Sequence, residues 1–225
     1  MGLGIEDLRI IKEIRGNDTG GKCAILGHCT FWYGKEASLI DFKNILKFDS
    51  VETFDINGSP TYKVDLQEKL QNSFFNSYDI IIDSGTLYSV FDVASVFENI
   101  VSMLKINGKI WHQTNLIGHF GRGYWSISPS VLYEFYTQNG FSVERMGYYI
   151  KEIGNGIDDR WIDFDPKAHN LASATSESFS FTTAQASYRG LARNDTSLMC
   201  LATKKENVTK IIKPVPSHYI RTNGA

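Results

Sequence analysis

Cysteine is scarce in this chain of 225 residues: Cys23, Cys29 and Cys200 are the only three. An odd number at unrelated spacings makes neither a disulfide framework nor a zinc pattern. Basic residues are also too few to form a nucleic-acid surface. Lys and Arg total 23 against 25 Asp and Glu, a formal charge of -2, with no local Lys/Arg cluster. Binding along DNA or RNA is therefore disfavoured. No apolar run is long enough to span a membrane, and no signal-peptide-like stretch opens the chain, so a reducing cytoplasm is the expected compartment. Internal repeats are absent. With 42% hydrophobic and 21% charged residues, the composition is that of an ordinary globular protein with one sizeable core.

What is present is organised around Tyr78 to Asp92. Ile80, Ile81 and Ile82 form an unbroken β-branched run suited to a strand buried on both faces of a parallel sheet. The run ends at Asp83 and Ser84. In open α/β sheets ligands bind at the carboxyl ends of the strands, which puts chemistry at this edge. Asp92 caps a predicted helix whose stripe is Val93, Val96, Phe97, Ile100, Val101 and Leu104. Before it come a helix over residues 5–14, a strand over 22–26, a bulky loop over 28–34, a helix over 36–46 and a strand over 51–56. After it come a turn at residues 106–109, a strand over 110–114, a helix starting at Ser128-Pro129, and strands over 142–150 and 197–203.

This order predicts a doubly wound, Rossmann-like α/β fold with a mainly parallel seven-stranded sheet and an antiparallel strand at its edge. One domain is expected over residues 1–204, with 151–195 covering the acceptor site and 205–225 forming a loose surface tail.

Three acids, Asp55, Asp65 and Asp83, fall at or just beyond successive strand ends. An acid at the end of the second strand can accept both hydroxyls of a ribose, which points to a nucleoside-bearing cofactor. The first loop discriminates among cofactors. A pyrophosphate needs closely spaced glycines, but Gly27 and Gly34 are separated by His, Cys, Thr, Phe, Trp and Tyr. NAD is therefore disfavoured, and the Lys-Ser/Thr pair of a P-loop is missing. A nucleoside without phosphate makes no such demand.

Taken in order, Gly27, Asp55, Asp65-Leu66, YDIIIDSGTLYSVFD and MLKINGK resemble the class I S-adenosylmethionine-dependent methyltransferases. SGTLYSVFD, GHFGRGYWSISP and NGF, also in order, are similar to bacterial small-molecule methyltransferases associated with surface-polysaccharide synthesis. The resemblance covers residues 20 to 150. It implies S-adenosylmethionine as cofactor, with Gly27, His28, Asp55, Ile56, Asp65, Leu66, Asp83 and Ser84 around it: Asp55 on the ribose, Asp65 on the adenine amino group, Asp83 and Ser84 at the methionine end. It also implies a small-molecule acceptor, and no metal is expected.

A hydroxyl acceptor benefits from a base titrating near neutrality. His119, in the loop after the 110–114 strand, is the candidate, with Asp83 beside it and His28 as second choice. Arg122 is placed to clamp an acidic group, and Tyr88, Tyr124 and Trp125 to face a polar ring; Trp32 and Tyr33 join this aromatic group, and Cys29 is expected within reach of ligand. Two departures stand out: the glycine loop is reduced to Gly27, and the family's Glu-His is replaced by Tyr88-Ser89. Both leave open a binding-only partner or regulatory protein of the same fold. Self-association as a homodimer also stays open.

Overall fold

The computed structural model describes residues 2–33, 36–117, 121–150, 160–163 and 196–215. In chain order the elements are β1 (Gly2–Leu3), α1 (Ile5–Arg15), β2 (Lys22–Leu26), β3 (Thr30–Trp32), β4 (Glu36–Ala37), α2 (Leu39–Leu46), β5 (Ser50–Asp55) and β6 (Tyr62–Lys63). They continue with β7 (Tyr78–Ser84), α3 (Val93–Met103), β8 (Leu104–Ile117), α4 (Pro129–Gln138), β9 (Phe141–Ile150), β10 (Arg160–Asp163) and β11 (Thr196–Lys204). Local chemistry sets the helix starts. Ser38 accepts from the Asp41 amide before α2, Asp92 from the Ser95 amide before α3, and Ser128 precedes Pro129 in α4.

The main sheet has eight strands in the order β10-β9-β11-β8-β7-β2-β5-β6. From β8 to β6 every pairing is parallel, which gives the doubly wound, Rossmann-like half of the sheet. β7 lies near the centre, between β2 and β8. Alternation along it divides the core. Ile81 joins Val96, Phe97 and Ile100 of α3 and Leu132, Phe135 and Tyr136 of α4. Ile80 and Ile82 join Ile10 and Ile11 of α1 and Phe42 and Leu46 of α2 on the other face. Burying each of these side chains is worth about 1.5–3 kcal/mol of transfer free energy, so β7 anchors both layers.

The expected antiparallel edge is present: β9 and β11 pair antiparallel, β11 lies inside the sheet between β8 and β9, and β10 forms the outer antiparallel strand. Other expectations are corrected. The bulky loop after β2 contains β3, which joins β1 and β4 in a separate three-stranded sheet. The expected turn at residues 106–109 is a bulge within β8: Tyr78 pairs with Leu104 and Ile80 with Lys109, and Asn107 takes a left-handed φ of 64°. The expected acceptor cover, 151–195, lies outside the described residues apart from β10. The described part of the tail is held rather than loose. Asn139 exchanges hydrogen bonds with the Ile212 backbone at 2.7 and 2.9 Å, and Val208 and Ile211 pack on the α3/α4 core.

Candidate functional site

The strands β2 and β5 run parallel, so their carboxyl ends open together on one edge of the sheet. There a cleft of about 480 Å³ is lined by Gly27, His28, Asp55, Ile56, Asp65 and Leu66, six residues that the sequence had put forward for one ligand. Gly27 ends β2 at φ 89°, a conformation that suits glycine, and its amide donates to the Phe54 carbonyl at 2.7 Å. The chain then turns so that the His28 amide donates to the Asp55 carboxylate. The other Asp55 oxygen accepts the Asn57 amide at 2.9 Å. A carboxylate offers about four lone-pair positions, so Asp55 is oriented by two amides and keeps acceptor capacity for a diol.

Asp65 is fixed in the same way. It accepts the Gln67 amide at 2.9 Å and, more loosely, the Gln67 Nε2 at 3.3 Å. Leu66 is buried beside it, and Val64, Val90 and Phe91 complete an apolar slot. Thr86 lines the cleft too, its hydroxyl donating to the Leu26 carbonyl at 2.8 Å.

Asp83 and Ser84, expected at the methionine end, do not line this cleft. Strand alternation turns Asp83 into the α3/α4 side, where it is fully buried. Its Oδ2 lies 2.7 Å from His112 Nδ1, and its Oδ1 accepts the amides of Thr86 at 2.8 Å and Leu87 at 3.3 Å. His112 Nε2 in turn lies 2.6 Å from the Tyr136 hydroxyl. Burial raises the Tyr136 pKa well above that of an ordinary tyrosine, so the hydroxyl keeps its proton. Asp83, His112 and Tyr136 thus form one buried chain of polar side chains. Ser84 points to the opposite face, 3.3 Å from Gln113 Oε1.

The loop carrying the expected acceptor residues is stitched to the stretch after β7. The Tyr88 carbonyl accepts the amides of Tyr124 at 2.8 Å and Trp125 at 3.2 Å, and Trp125 Nε1 donates to the Val90 carbonyl at 3.0 Å. This approach requires Gly123, at φ 89°: a Cβ there would stand 2.5 Å from the Tyr88 carbonyl oxygen. Phe91 meets Tyr124 edge-on and Trp125 at a tilt, both with ring centroids 5.9 Å apart. Phe91 and Tyr124 are 69% and 68% exposed and line the cleft, so this aromatic group forms its rim. Tyr88 lies beneath it, buried. Its pKa is raised by burial, against a lowering pull from exposed Arg122.

His119 lies outside the described residues. Trp32 and Tyr33 belong to the small-sheet region, where Tyr33 packs against Phe31 with ring centroids 6.2 Å apart. Cys29, expected within reach of ligand, packs against the α1/α2-side core, and burial pushes its thiol up to about 12. No group of three metal-ligating side chains occurs among the described residues. No helix among them is long and apolar enough to cross a membrane.

Sequence reasoning missed Gln67 and Phe91 as walls of the cleft. The available signal was their spacing: Gln67 stands two residues after Asp65, in Asx-turn position, and Phe91 immediately precedes the helix cap Asp92.

These strands, their order and the position of the cleft define the class I methyltransferase fold. A putative methyltransferase of Bacillus halodurans superposes with a TM-score of 0.55 at 13% identity, over 89% of this chain and 99% of that one. A geranyl diphosphate methyltransferase, solved in complex with S-adenosylmethionine, gives 0.53 at 13%, over 89% and 85%. Haemonchus contortus phosphoethanolamine N-methyltransferase 2, also in complex with S-adenosylmethionine, gives 0.52 at 14%, over 89% of this chain and 52% of that one. No family model matches the sequence, and no curated protein is significantly similar to it.

Proposed function

We propose that this protein is an S-adenosylmethionine-dependent methyltransferase that O-methylates a small polar metabolite, such as a glycan or capsule precursor, in the bacterial cytoplasm. The observation that carries this reading is the convergence of Asp55, Asp65, Leu66, Gly27 and His28 on one cleft. Its volume suits a nucleoside-sized ligand. The donor set fits as well: Asp55 has acceptor capacity for a ribose diol, and Asp65 borders an apolar slot into which a purine can stack. The methionine sulfonium supplies an electrophilic methyl group.

The protein's own task is to align the acceptor and exclude water. In this reading the Tyr124 and Trp125 rim holds the acceptor's ring, Arg122 meets an acidic substituent, and Tyr88 supports the rim from beneath. His119 takes the proton of the acceptor hydroxyl. Asp83 has a different part from the one expected: committed to His112 and to the Thr86 and Leu87 amides, it holds the turn that carries Thr86 into the cleft.

Calorimetry with S-adenosylhomocysteine tests the cofactor, and transfer of labelled methyl to hydroxyl-bearing acceptors tests the reaction. His119→Ala is expected to keep cofactor affinity and lose turnover; unchanged turnover removes His119 as base. The engagement of Asp83 in the core favours a second reading, a binding-only protein of the same fold. That reading predicts tight S-adenosylhomocysteine binding with no methyl transfer to any acceptor.

A further inference from the structure

Asp65, Leu66 and Gln67 wall the cleft, and the loop they open, Asp65 to Leu70, belongs to no helix or strand. A loop of this kind presents a fixed binding edge only if side chains elsewhere hold it, because each residue free to move must be ordered when ligand binds. Asn99, on the buried face of α3 and 5% exposed, does this. Its Nδ2 donates to the carbonyls of Leu66 at 2.9 Å and Glu68 at 2.8 Å, and its Oδ1 accepts the Leu70 amide at 3.2 Å. Both donors and the acceptor of the side chain are thus spent on one loop.

Gln67 works from the loop outward. Its Oε1 accepts the amides of Phe91 and Asp92 at 3.0 Å, just before α3, while its Nε2 reaches Asp65. Two side-chain amides therefore tie the loop to α3 and to the residues just before it, and Asp65 is held by its bonds to Gln67.

We propose that Asn99, with Gln67, is the positioning element that makes the cleft select a 6-amino purine over a 6-oxo purine. This rests on the nucleoside reading of the cleft. An ionised carboxylate only accepts hydrogen bonds, so Asp65 welcomes an exocyclic amino group and repels a ring carbonyl. That distinction lasts only while the carboxylate cannot swing into water. Sites built to pair a particular polar group reject the analogue lacking it strongly, because the site's own polar groups are then left unpaired. Asn99 itself touches no ligand; it acts through Leu66 and Asp65.

The test compares dissociation constants of S-adenosylhomocysteine and S-inosylhomocysteine by calorimetry for the wild type, Asn99→Ala and Gln67→Ala. The wild type is expected to prefer the adenine compound. Each variant is expected to weaken that compound about tenfold while leaving the hypoxanthine compound nearly unchanged, which narrows the ratio. A merely structural role would lower the melting temperature and leave the ratio alone. Gln67 is only half-buried, so its variant keeps the test decisive if Asn99→Ala fails to fold. Wild-type preference retained in full by the folded variants overturns the proposal alone. A wild type that binds neither compound overturns the nucleoside reading, and the proposal with it.

Discussion

Replacing His112 with leucine should cost more stability than any substitution in the cleft. The imidazole links Asp83 and Tyr136 at 2.7 and 2.6 Å, and all three side chains are fully buried. Leucine fills much of the same space but offers no hydrogen-bond partner to Asp83 or to the Tyr136 hydroxyl. Removing one partner of a buried ionic or charge-assisted pair typically costs about 3–5 kcal/mol, because the remaining group stays desolvated. For a domain of this size that is a fall in melting temperature of about 6–20 °C. Adding Asp83→Asn to His112→Leu should return part of the loss. The uncharged amide oxygen still accepts from Thr86 and Leu87, and no unpaired charge remains in the core. Urea unfolding of the wild type, the single variant and the double variant measures both steps. A single variant within 1 kcal/mol of the wild type, or a double variant no better than the single, would refute this account of Asp83.

Other perturbations follow from the same geometry. On the proposed function, in which Asp55 accepts the ribose diol, Asp55→Ala should weaken S-adenosylhomocysteine by about a hundredfold in calorimetry, and the His28 and Asn57 amides lose their partner. Trp125→Ala should raise the acceptor's KM and leave cofactor affinity unchanged, which steady-state kinetics with both ligands varied would separate. Burial raises the Asp7 carboxyl from 3.8 to about 6. Because the folded state favours the protonated form, this contribution is fully present below about pH 4 and is lost as pH rises through 6. Asp7→Asn keeps an acceptor for the Gly4 amide without the charge, so near pH 7 it should be more stable than the wild type by up to roughly 3 kcal/mol. The gap should close on acidification, and a gap independent of pH would remove Asp7 as its source.

Much of the site was legible because it depends on where strands end. The Ile80 to Ile82 run marked a central parallel strand, and an acid closing β5 marked the edge where the cleft opens. The direction of Asp83 was not legible. Whether a strand-end side chain meets solvent or core depends on strand parity and on how far the turn after it folds back, and here that turn is held by Asp83 itself. The small sheet was hidden for another reason. Its strands are two or three residues long, too short for a period, and β1 pairs with β3 across the whole of α1 and β2. The antiparallel edge was legible, but the place of β11 within it was not: its burial on nearly every residue reflects an interior position between β8 and β9. Asn99 stands beside the apolar stripe of α3 and carried no signal in the sequence. Only the loop packed against it shows why an amide stands there.

The most direct test of the central claim is thermal unfolding with and without S-adenosylhomocysteine, with NAD as control, because a ligand bound to the folded state must raise its apparent stability. The account predicts a rise of the melting temperature that grows with S-adenosylhomocysteine concentration and none with NAD. No rise with S-adenosylhomocysteine, or an equal rise with NAD, would contradict it.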